Sequence, residues 1–260
     1  MLFSFGLITV HWYGLLVVSG IIAGLLVTLR LAKKVNLTAD EIYNLAFYLI
    51  IFSLVGARIY AVFLELPYYL AYPGQIIAVW NGGLAIHGAL LGGILTLLLY
   101  CRRHRQSFWL WADLLAMALP LGQAIGRWGN YFNQELFGRP TDLAWGIPIT
   151  PINRPVGYEN FSYFQPTFLY ESILNLLNFL ILLVLFQQRK KWHLKTGHLT
   201  LIYLINYSLI RIFMEFFRID HTPLIFGIRV PVVVSALLIV ASLSLIFFRR
   251  QKISGNDFPS

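Results

Sequence analysis

Residues 12–31 read WYGLLVVSGIIAGLLVTLRL, an apolar run that carries one charged residue, Arg30, near its end. A helix needs about 20 such residues to cross the hydrocarbon core of a bilayer. The apolar core of a cleavable signal peptide is shorter, roughly 7 to 15 residues, and follows a basic segment, whereas residues 1–11 contain no Lys or Arg. We therefore expect this run to be a retained transmembrane helix.

The rest of the 260-residue chain is similarly apolar, with 58% hydrophobic and 12% charged residues. These values lie outside the usual range of soluble domains. Six further stretches are long enough to span a membrane, at residues 43–64, 84–101, 108–126, 167–187, 198–217 and 230–248. The sequence thus predicts an all-α integral membrane protein, a single polytopic domain over residues 1–260 with seven transmembrane helices.

The basic residues predict the orientation of these helices. Thirteen of the 20 Lys and Arg residues lie in four flanks, which follow the first, third, fifth and seventh predicted helices. They are Arg30, Lys33 and Lys34; Arg102, Arg103 and Arg105; Arg189, Lys190, Lys191 and Lys195; and Arg249, Arg250 and Lys252. By the positive-inside rule, the N-terminus is outside and the C-terminus is cytoplasmic. Because this placement explains the net charge of +9, we do not expect nucleic acid as a partner.

Two long connections are predicted to lie outside the membrane. Residues 65–83, called the arm below, contain three tyrosines and Trp80, and such rings suit the headgroup region of a bilayer. Residues 127–166, called the head, are rich in proline, glycine and aromatic residues. We expect the arm to be interfacial and the head to be a small external segment with short strands.

The basic residues outside the four flanks are all arginine. They are Arg58, Arg127, Arg139, Arg154, Arg211, Arg218 and Arg229. A guanidinium group offers paired N–H donors that match phosphate oxygens, whereas a simple membrane anchor would use lysine as readily. This choice of residue indicates a phosphorylated ligand.

Several polar residues are predicted to lie at one depth in the membrane. At about 1.5 Å per residue, Arg58 and Arg211 fall in the outer halves of their helices and Arg127 at the outer end of the fourth. Three others fall at a similar depth: Tyr13, His87 and Glu171. Polar groups inside a bilayer are costly and generally mark a functional site. The predicted site therefore faces the outer leaflet.

The densest group of polar residues closes the fourth predicted helix, where residues 126–138 read GRWGNYFNQELFG. The glycines permit tight turns and the close approach of a ligand. Arg127, Asn130, Asn133 and Glu135 offer donors and acceptors that suit phosphate and glycerol hydroxyl groups. From these residues alone, the segment could also be the polar cap of a helix.

This segment resembles the signature of the prolipoprotein diacylglyceryl transferase family, Gly-Arg-x-Gly-Asn-Phe-x-Asn-x-Glu-x-x-Gly, with Tyr131 in place of Phe. Similar matches occur at residues 12–14, 56–58, 82–88 and 211–218, over nearly the whole chain. The resemblance implies a transferase of the bacterial cytoplasmic (inner) membrane. Such an enzyme moves the diacylglyceryl group from the membrane lipid phosphatidylglycerol to the lipobox cysteine of a prolipoprotein signal peptide, forming a thioether and releasing glycerol phosphate.

One segment departs further from the family pattern. The family commonly has His-Pro-Ser/Thr-Gln-Leu-Tyr-Glu, whereas residues 165–171 read QPTFLYE. Gln165 and Phe168 replace a histidine and a glutamine, and we expect no catalytic role at these two positions. Tyr170 and Glu171 are retained.

His87 is the candidate general base, because a neutral imidazole can take the proton of a thiol near neutral pH. A histidine at the start of a helix can instead serve to position the substrate. Both roles are open on the sequence alone.

Tyr207, Arg211, Glu215 and Arg218 recur at intervals of four, four and three residues, a spacing that predicts one helical face. In one interpretation Arg211 and Glu215 form an ion pair that ties helices together. In the other, Arg211 and Arg127 hold the lipid phosphate while Glu215 orients a guanidinium group.

The candidate site residues form two groups. The catalytic candidates are His87, Arg127 and Arg211, and the substrate-binding candidates are Tyr13, Arg58, Arg127, Asn130, Asn133, Glu135, Gly138, Tyr170, Glu171, Tyr207, Glu215 and Arg218. Arg58 could reach the phosphate or extend its charge to the headgroups. We expect no metal or cofactor, since neither zinc-ligand spacing nor a nucleotide-binding loop occurs. Cys101, at the cytoplasmic end of the third predicted helix, cannot be the nucleophile.

A transporter or flippase for an anionic lipid is the alternative function, because arginines within a membrane also line transport pathways. Transporters usually contain repeated halves, and the sequence shows no internal repeat. The polar residues are also confined to the outer half of the membrane, whereas a transporter needs a path for its substrate from both sides. A scaffold without catalysis would leave the group of Arg, Asn, Glu and His residues unexplained.

Cysteine labelling in intact cells tests the predicted orientation. Thr141→Cys, in the head, should react with a membrane-impermeant maleimide because it lies outside. Lys191→Cys, in a cytoplasmic flank, should not react. The reverse labelling pattern would overturn both the topology and the side of the predicted site.

Overall fold

The structure is a computed structural model that describes residues 3–5, 8–220 and 222–251. Its helices are α1 (Trp12–Ala32), α2 (Ala39–Leu64), α3 (Leu66–Ala71), α4 (Ile86–Arg103), α5 (Phe108–Asn133), α6 (Thr167–Gln187), α7 (His198–Glu215) and α8 (Val230–Gln251). Each of the seven predicted stretches is a helix, and α3 is an additional short one. Lys252, assigned to the last basic flank, lies outside the described residues.

Five helical segments in the described part of the chain are long and apolar enough to cross a membrane. They are Trp12–Val35, Ala39–Leu64, Phe108–Asn133, Thr167–Gln187 and Val230–Arg249. The chain is therefore a mostly helical, multi-pass membrane protein. Helices α4 and α7 have 18 residues each, and polar residues such as His87, Asn206 and Arg211 make them less apolar. The count of seven spans stays a prediction.

Three two-stranded antiparallel sheets accompany the helices within the described ranges. They pair β1 (Phe3–Phe5) with β2 (Ile8–Val10), β3 (Ile147–Pro148) with β4 (Tyr163–Phe164), and β5 (Leu224–Ile225) with β6 (Ile228–Arg229). The second sheet lies in the head, where short strands were expected. The other two precede α1 and α8 and were not predicted, because strands of two or three residues leave no periodic pattern in a sequence.

The chain forms two compact units, one of Met1–Thr28 with Asp113–Ser260 and a smaller one of Leu29–Ala112. In the smaller unit, α2 and α4 approach closely at glycine residues. A Cβ atom on Gly56 would lie 2.5 Å from the carbonyl oxygen of Gly88. Small residues at such crossings let helix backbones pack directly against one another.

In the larger unit, partly buried hydrogen bonds between polar side chains join α5, α6 and α7. The side-chain amide of Gln123 donates to the Tyr203 hydroxyl at 2.9 Å, and Asn206 donates to Asn178 Oδ1 at 2.9 Å. These bonds satisfy polar groups that hydrocarbon would leave without partners. They also fix the rotation of each helix relative to its neighbours.

Asp113 caps the start of α7. Its fully buried carboxylate accepts hydrogen bonds from the main-chain N–H of Gly197 (2.6 Å), and from the N–H and hydroxyl of Thr200 (both 2.7 Å). The first turn of a helix has N–H groups without intrahelical partners, and a carboxylate satisfies them well. The N-terminal ends of α5 and α7 are thereby joined.

The two connections predicted to be external differ from simple loops. Helix α5 continues to Asn133, so residues 127–133 of the head are helical, which corrects the predicted end at residue 126. Beyond α5, Phe137, Ile149 and Phe164 form a small buried core. The arm contains α3 and two short 3-10 turns, Pro73–Ile76 and Val79–Asn81.

Candidate active site

The end of α5 folds back on itself through three polar side chains. Gln134 and Leu136 have positive φ angles of 50° and 54°, so the chain leaves the helix abruptly. The Glu135 carboxylate accepts hydrogen bonds from the side-chain amides of Asn130 at 2.8 Å and Asn133 at 3.3 Å. Three of the predicted site residues are therefore in one hydrogen-bonded group.

Two glycines of the same segment are required by close contacts. A Cβ atom on Gly129 would lie 2.6 Å from the Tyr13 ring. A Cβ atom on Gly138 would lie 2.9 Å from the methyl group of Thr167, and the Gly138 N–H donates to the Gln165 carbonyl at 2.9 Å. Tyr13, at Gly129, and the start of α6, at Gly138, thus lie against the segment that carries Arg127 and Asn130.

Glu171, near the start of α6, binds two arginines. Its Oε2 lies 2.5 Å from Arg127 Nε, and its Oε1 lies 2.6 Å from Arg218 Nη2. The carboxylate is almost fully buried. An isolated charge would be very costly there, so these ion pairs hold the ends of α5 and α6 and the segment after α7 together.

Glu215, the last residue of α7, binds a second pair of arginines. Arg211 Nη2 lies 2.5 Å from Oε1, and Arg229 Nε lies 2.6 Å from Oε2. Asp220 links the two groups, at 3.9 Å from Arg218 Nη1 and 3.6 Å from Arg229 Nη2. The ion-pair interpretation of Arg211 and Glu215 therefore describes a real contact, which is part of a larger network.

This network contains four arginines and three carboxylates, and so has one excess positive charge. Arg229 Nη1 and Nη2 donate to protein acceptors, and its Nε lies 2.6 Å from Glu215 Oε2. In contrast, Arg127 Nη2 and the Nε and Nη1 atoms of Arg211 have no acceptor among the described residues. The side chains of Arg127 and Arg211 are also 24% and 17% exposed, against 5% for Arg218. Arg218 Nε also lacks a partner in the described part of the chain, but it is buried. Arg127 and Arg211 are therefore the two partly exposed arginines that retain donors for an anionic ligand.

His87 is the second residue of α4, in the smaller unit, and is exposed. Its ring lies 5.9 Å from the Tyr60 ring, centroid to centroid. No hydrogen bond to its ring nitrogens occurs in the described ranges. The side chain thus has the accessibility that a proton acceptor needs.

Arg58, also in the smaller unit, differs from both interpretations of the sequence. It is 6% exposed, and its guanidinium group donates to five main-chain carbonyls of the arm. In this geometry it neither extends to the headgroups nor offers a free donor to phosphate.

The predicted face of α7 needs a correction. The helix ends at Glu215, so Arg218 lies beyond it and pairs with Glu171, not with the preceding turn. Tyr207, Arg211 and Glu215 do lie in α7, and the Tyr207 ring packs against that of Tyr203, one turn earlier, with centroids 6.0 Å apart. Tyr170 points toward the head, where its hydroxyl accepts a hydrogen bond from the Trp145 indole at 2.9 Å.

Comparison with known proteins identifies the family. A sequence model of the prolipoprotein diacylglyceryl transferases matches residues 1–248. The chain belongs to this family. A phosphatidylglycerol–prolipoprotein diacylglyceryl transferase of Parasynechococcus marenigrum is 46% identical, over 97% of this chain and 94% of the relative. A relative with the same name from a Synechococcus species is 48% identical, over 84% of this chain and 79% of the relative. Another, from a Synechocystis species, is 43% identical, over 92% of this chain and 85% of the relative.

The prediction of a membrane-bound diacylglyceryl transferase is thereby confirmed at the level of family and of enzyme class. The alternative of a transporter is not favoured, since these relatives are named as transferases. The roles of the individual site residues stay predictions.

Two of the three departures of this transferase from its family patterns, Tyr131 and Phe168, lie in contact. The Phe168 ring centroid is 4.9 Å from that of Tyr131 and 5.2 Å from that of Trp128, and Phe168 is buried. A buried glutamine would need hydrogen-bond partners, whereas a phenylalanine needs only apolar neighbours. Tyr131 and Phe168 therefore belong to one aromatic cluster beside the signature segment.

Arg229 and Asp220 belong to the ion-pair network but were not among the predicted site residues. The only signal for Arg229 was that it is an arginine outside the basic flanks. Its partner could not be inferred, because Arg229 and Glu215 lie 14 positions apart and Arg229 is at the end of the hairpin β5–β6.

Arg127→Lys should lower the transferase rate roughly 100- to 1000-fold although the charge is kept. A lysine can pair with Glu171, but it cannot also reach Asn130 and present a further pair of N–H donors. Initial rates of the purified variant measure the effect. The matched control is Arg139→Lys, an exposed arginine of the head whose side chain forms no hydrogen bond or ion pair within the described residues. If the rate of Arg127→Lys equalled that of this control, Arg127 would be only a structural cap.

Proposed function

We propose that this enzyme transfers the diacylglyceryl group of phosphatidylglycerol to the cysteine thiol of a prolipoprotein. Both substrates are those in the names of its relatives. The observation that carries the proposal is the pair Arg127 and Arg211, which keep unused N–H donors within a network of excess positive charge. A phosphodiester is an anion that such donors fit well.

In the proposed reaction, the cysteine thiolate attacks the glycerol carbon that bears the phosphate. A carbon–sulfur bond forms and a carbon–oxygen bond breaks, so glycerol phosphate leaves with the bonding electron pair. Negative charge then grows on the phosphate oxygens. Guanidinium groups that are already oriented stabilise this charge without reorganisation, which is the usual source of a large rate increase.

Glu171 and Glu215 are assigned an orienting role. Each holds one of the two open arginines through a short ion pair, and each is bound by a second arginine that keeps the carboxylate in place. The guanidinium groups are therefore fixed before the lipid binds. In this proposal the amides of Asn130 and Asn133, with Glu135, bind the hydroxyl groups of the glycerol headgroup.

His87 is proposed as the group that takes the thiol proton. Its exposed ring and the absence of hydrogen-bond partners within the described residues support this role. The remaining alternative is that His87 positions the substrate, and the variant described below separates the two.

The proposed topology has seven spans with the N-terminus outside, and a site toward the outer leaflet of the bacterial cytoplasmic membrane. In support, Arg127 and Arg211 lie near the C-terminal ends of α5 and α7, and Glu171 near the N-terminal end of α6. Those are the ends away from the basic flanks. In the arm, Tyr72 and Trp80 are 60% and 77% exposed, as expected for rings that lie among lipid headgroups.

An assay with purified protein tests the proposed function. Phosphatidylglycerol vesicles and a peptide with a lipobox cysteine should yield a thioether-linked diacylglyceryl peptide, detected by mass spectrometry, without any ion gradient. A peptide with serine in place of the cysteine is the control and should stay unmodified. Absence of product with the cysteine peptide would contradict the proposal.

His87→Asn should lower the chemical step roughly 100- to 10,000-fold, the usual contribution of general-base catalysis. Binding of phosphatidylglycerol should be unchanged. Raising the pH toward about 8.5, the ordinary pKa of a cysteine thiol, should recover part of the rate because more thiolate forms without a base. Rates measured across this pH range provide the test.

His193→Asn is a matched control, because His193 is exposed and has a φ of 48°, a conformation that asparagine tolerates well. It should have the wild-type rate. Full activity of His87→Asn, or a loss that does not depend on pH and is accompanied by weaker lipid binding, would leave His87 with a positioning role only.

A further inference from the structure

Arg58 is enclosed by backbone, near the outer end of α2. Its Nε donates to the carbonyl of Ile76 at 2.9 Å, and its Nη1 donates to those of Gly82 at 2.5 Å and Gly83 at 2.7 Å. Its Nη2 donates to the carbonyls of Ala78, at 3.2 Å, and Gln75. A guanidinium group has five N–H donors, and all five are thus used by main-chain acceptors. Arg58 takes part in none of the ion pairs between described residues.

The arm is shaped to fit around this side chain. Gly82 and Gly83 have φ angles of +88° and +69°, which other residues adopt with strain. A Cβ atom on Gly83 would lie 2.7 Å from Arg58 Nη1 and 2.6 Å from the Tyr69 hydroxyl. The Tyr69 ring is buried, 5.2 Å from the Arg58 guanidinium carbon. Two glycines and a cation–π contact therefore close the loop onto the arginine.

The same loop leads directly into α4. The N–H of Ala85, the residue before the helix, donates to the carbonyl of Ala57 at 3.1 Å. No side chain caps this end of α4. The position at which α4 begins therefore depends on α2, through Arg58 and its neighbour Ala57. His87 follows two residues after Ala85.

We propose that Arg58 is a positioning residue, which holds residues 75–83 against α2 and thereby sets the location of His87. It is not a ligand of the lipid phosphate. This inference rests on the proposed function, because it assigns Arg58 an effect on the step that His87 assists. Lysine cannot replace it, since an ammonium group has three donors on one atom and cannot reach five separate carbonyls.

Two substitutions should weaken the contact between Arg58 and residues 75–83, one in α2 and one in the arm. Arg58→Lys removes donors, whereas Gly83→Ala leaves Arg58 intact and places a methyl group against it. Gly74→Ala is the matched control, because Gly74 lies in the arm, has no positive φ and has open space around its Cβ position. The two test variants should behave alike, and the control should resemble the wild type.

We call the attachment of residues 75–83 to α2 through Arg58 the clamp. Hydrogen–deuterium exchange tests it without any assay of activity. In both test variants the amide of Ala85 should exchange at least about tenfold faster than in the wild type, because its bond to Ala57 opens more often. Amides in the middle of α6 should be unaffected, which shows that the protein is folded. An unchanged exchange rate at Ala85 in both variants would refute the clamp.

Steady-state kinetics test the positioning role. Arg58→Lys should lower kcat roughly 10- to 100-fold, the usual effect of a misplaced catalytic group, with the KM for phosphatidylglycerol changed less than about twofold. In the His87→Asn background, Arg58→Lys should lower kcat by less than about a further threefold. The imidazole that Arg58 positions is already absent from that variant.

Two kinetic results would contradict the proposal. One is a full multiplicative loss when Arg58→Lys is combined with His87→Asn, and the other is a large increase in KM. Either would mean that Arg58 acts on the lipid directly or on the stability of the whole protein. If the wild type did not modify the peptide at all, the proposed function would fail, and the exchange rates would still decide whether the clamp exists.

Discussion

The ion pairs of Glu171 are the interaction on which the larger unit depends. A carboxylate that is 3% exposed is stable in a membrane protein only if cations and donors compensate for the lost hydration. Glu171 has two such cations, Arg127 and Arg218, at 2.5 and 2.6 Å. Because these residues come from α5 and from the segment after α7, the helix ends must converge, and this convergence creates the network of excess positive charge.

The arginines of the chain differ in how their donors are used. Arg218 is bound by the carboxylates of Glu171 and Asp220, and Arg229 by carboxylates and by two main-chain carbonyls, so both are part of the framework. Arg58 is saturated by the backbone of the arm. Arg127 and Arg211 are held by one carboxylate each and keep donors free. In each case the planar, five-donor group matters, which explains why lysine occurs in none of these positions.

The aromatic cluster shows how the chain accommodates a departure from the family pattern. Phe168 stands where the family commonly has glutamine, and it packs against Tyr131 and Trp128 of the signature segment. Packing between rings replaces the hydrogen bonds that a buried amide would need. The neighbouring Gly138 still donates its N–H to the Gln165 carbonyl, so the backbone link between the signature segment and the start of α6 does not depend on the side chain at position 165.

The sequence by itself determined the helices and the family, since apolar runs of about 20 residues and a motif of fixed spacing are local properties of a chain. It also indicated the depth of Arg127, Arg211 and Glu171. Only the tertiary structure decided their partners, because depth along a helix does not determine which neighbour a side chain faces. It paired Glu171 with both Arg127 and Arg218, and it placed Arg218 beyond the end of α7. It enclosed Arg58 in carbonyls of residues 75–83, and such main-chain acceptors have no signature in a sequence, because every residue carries one.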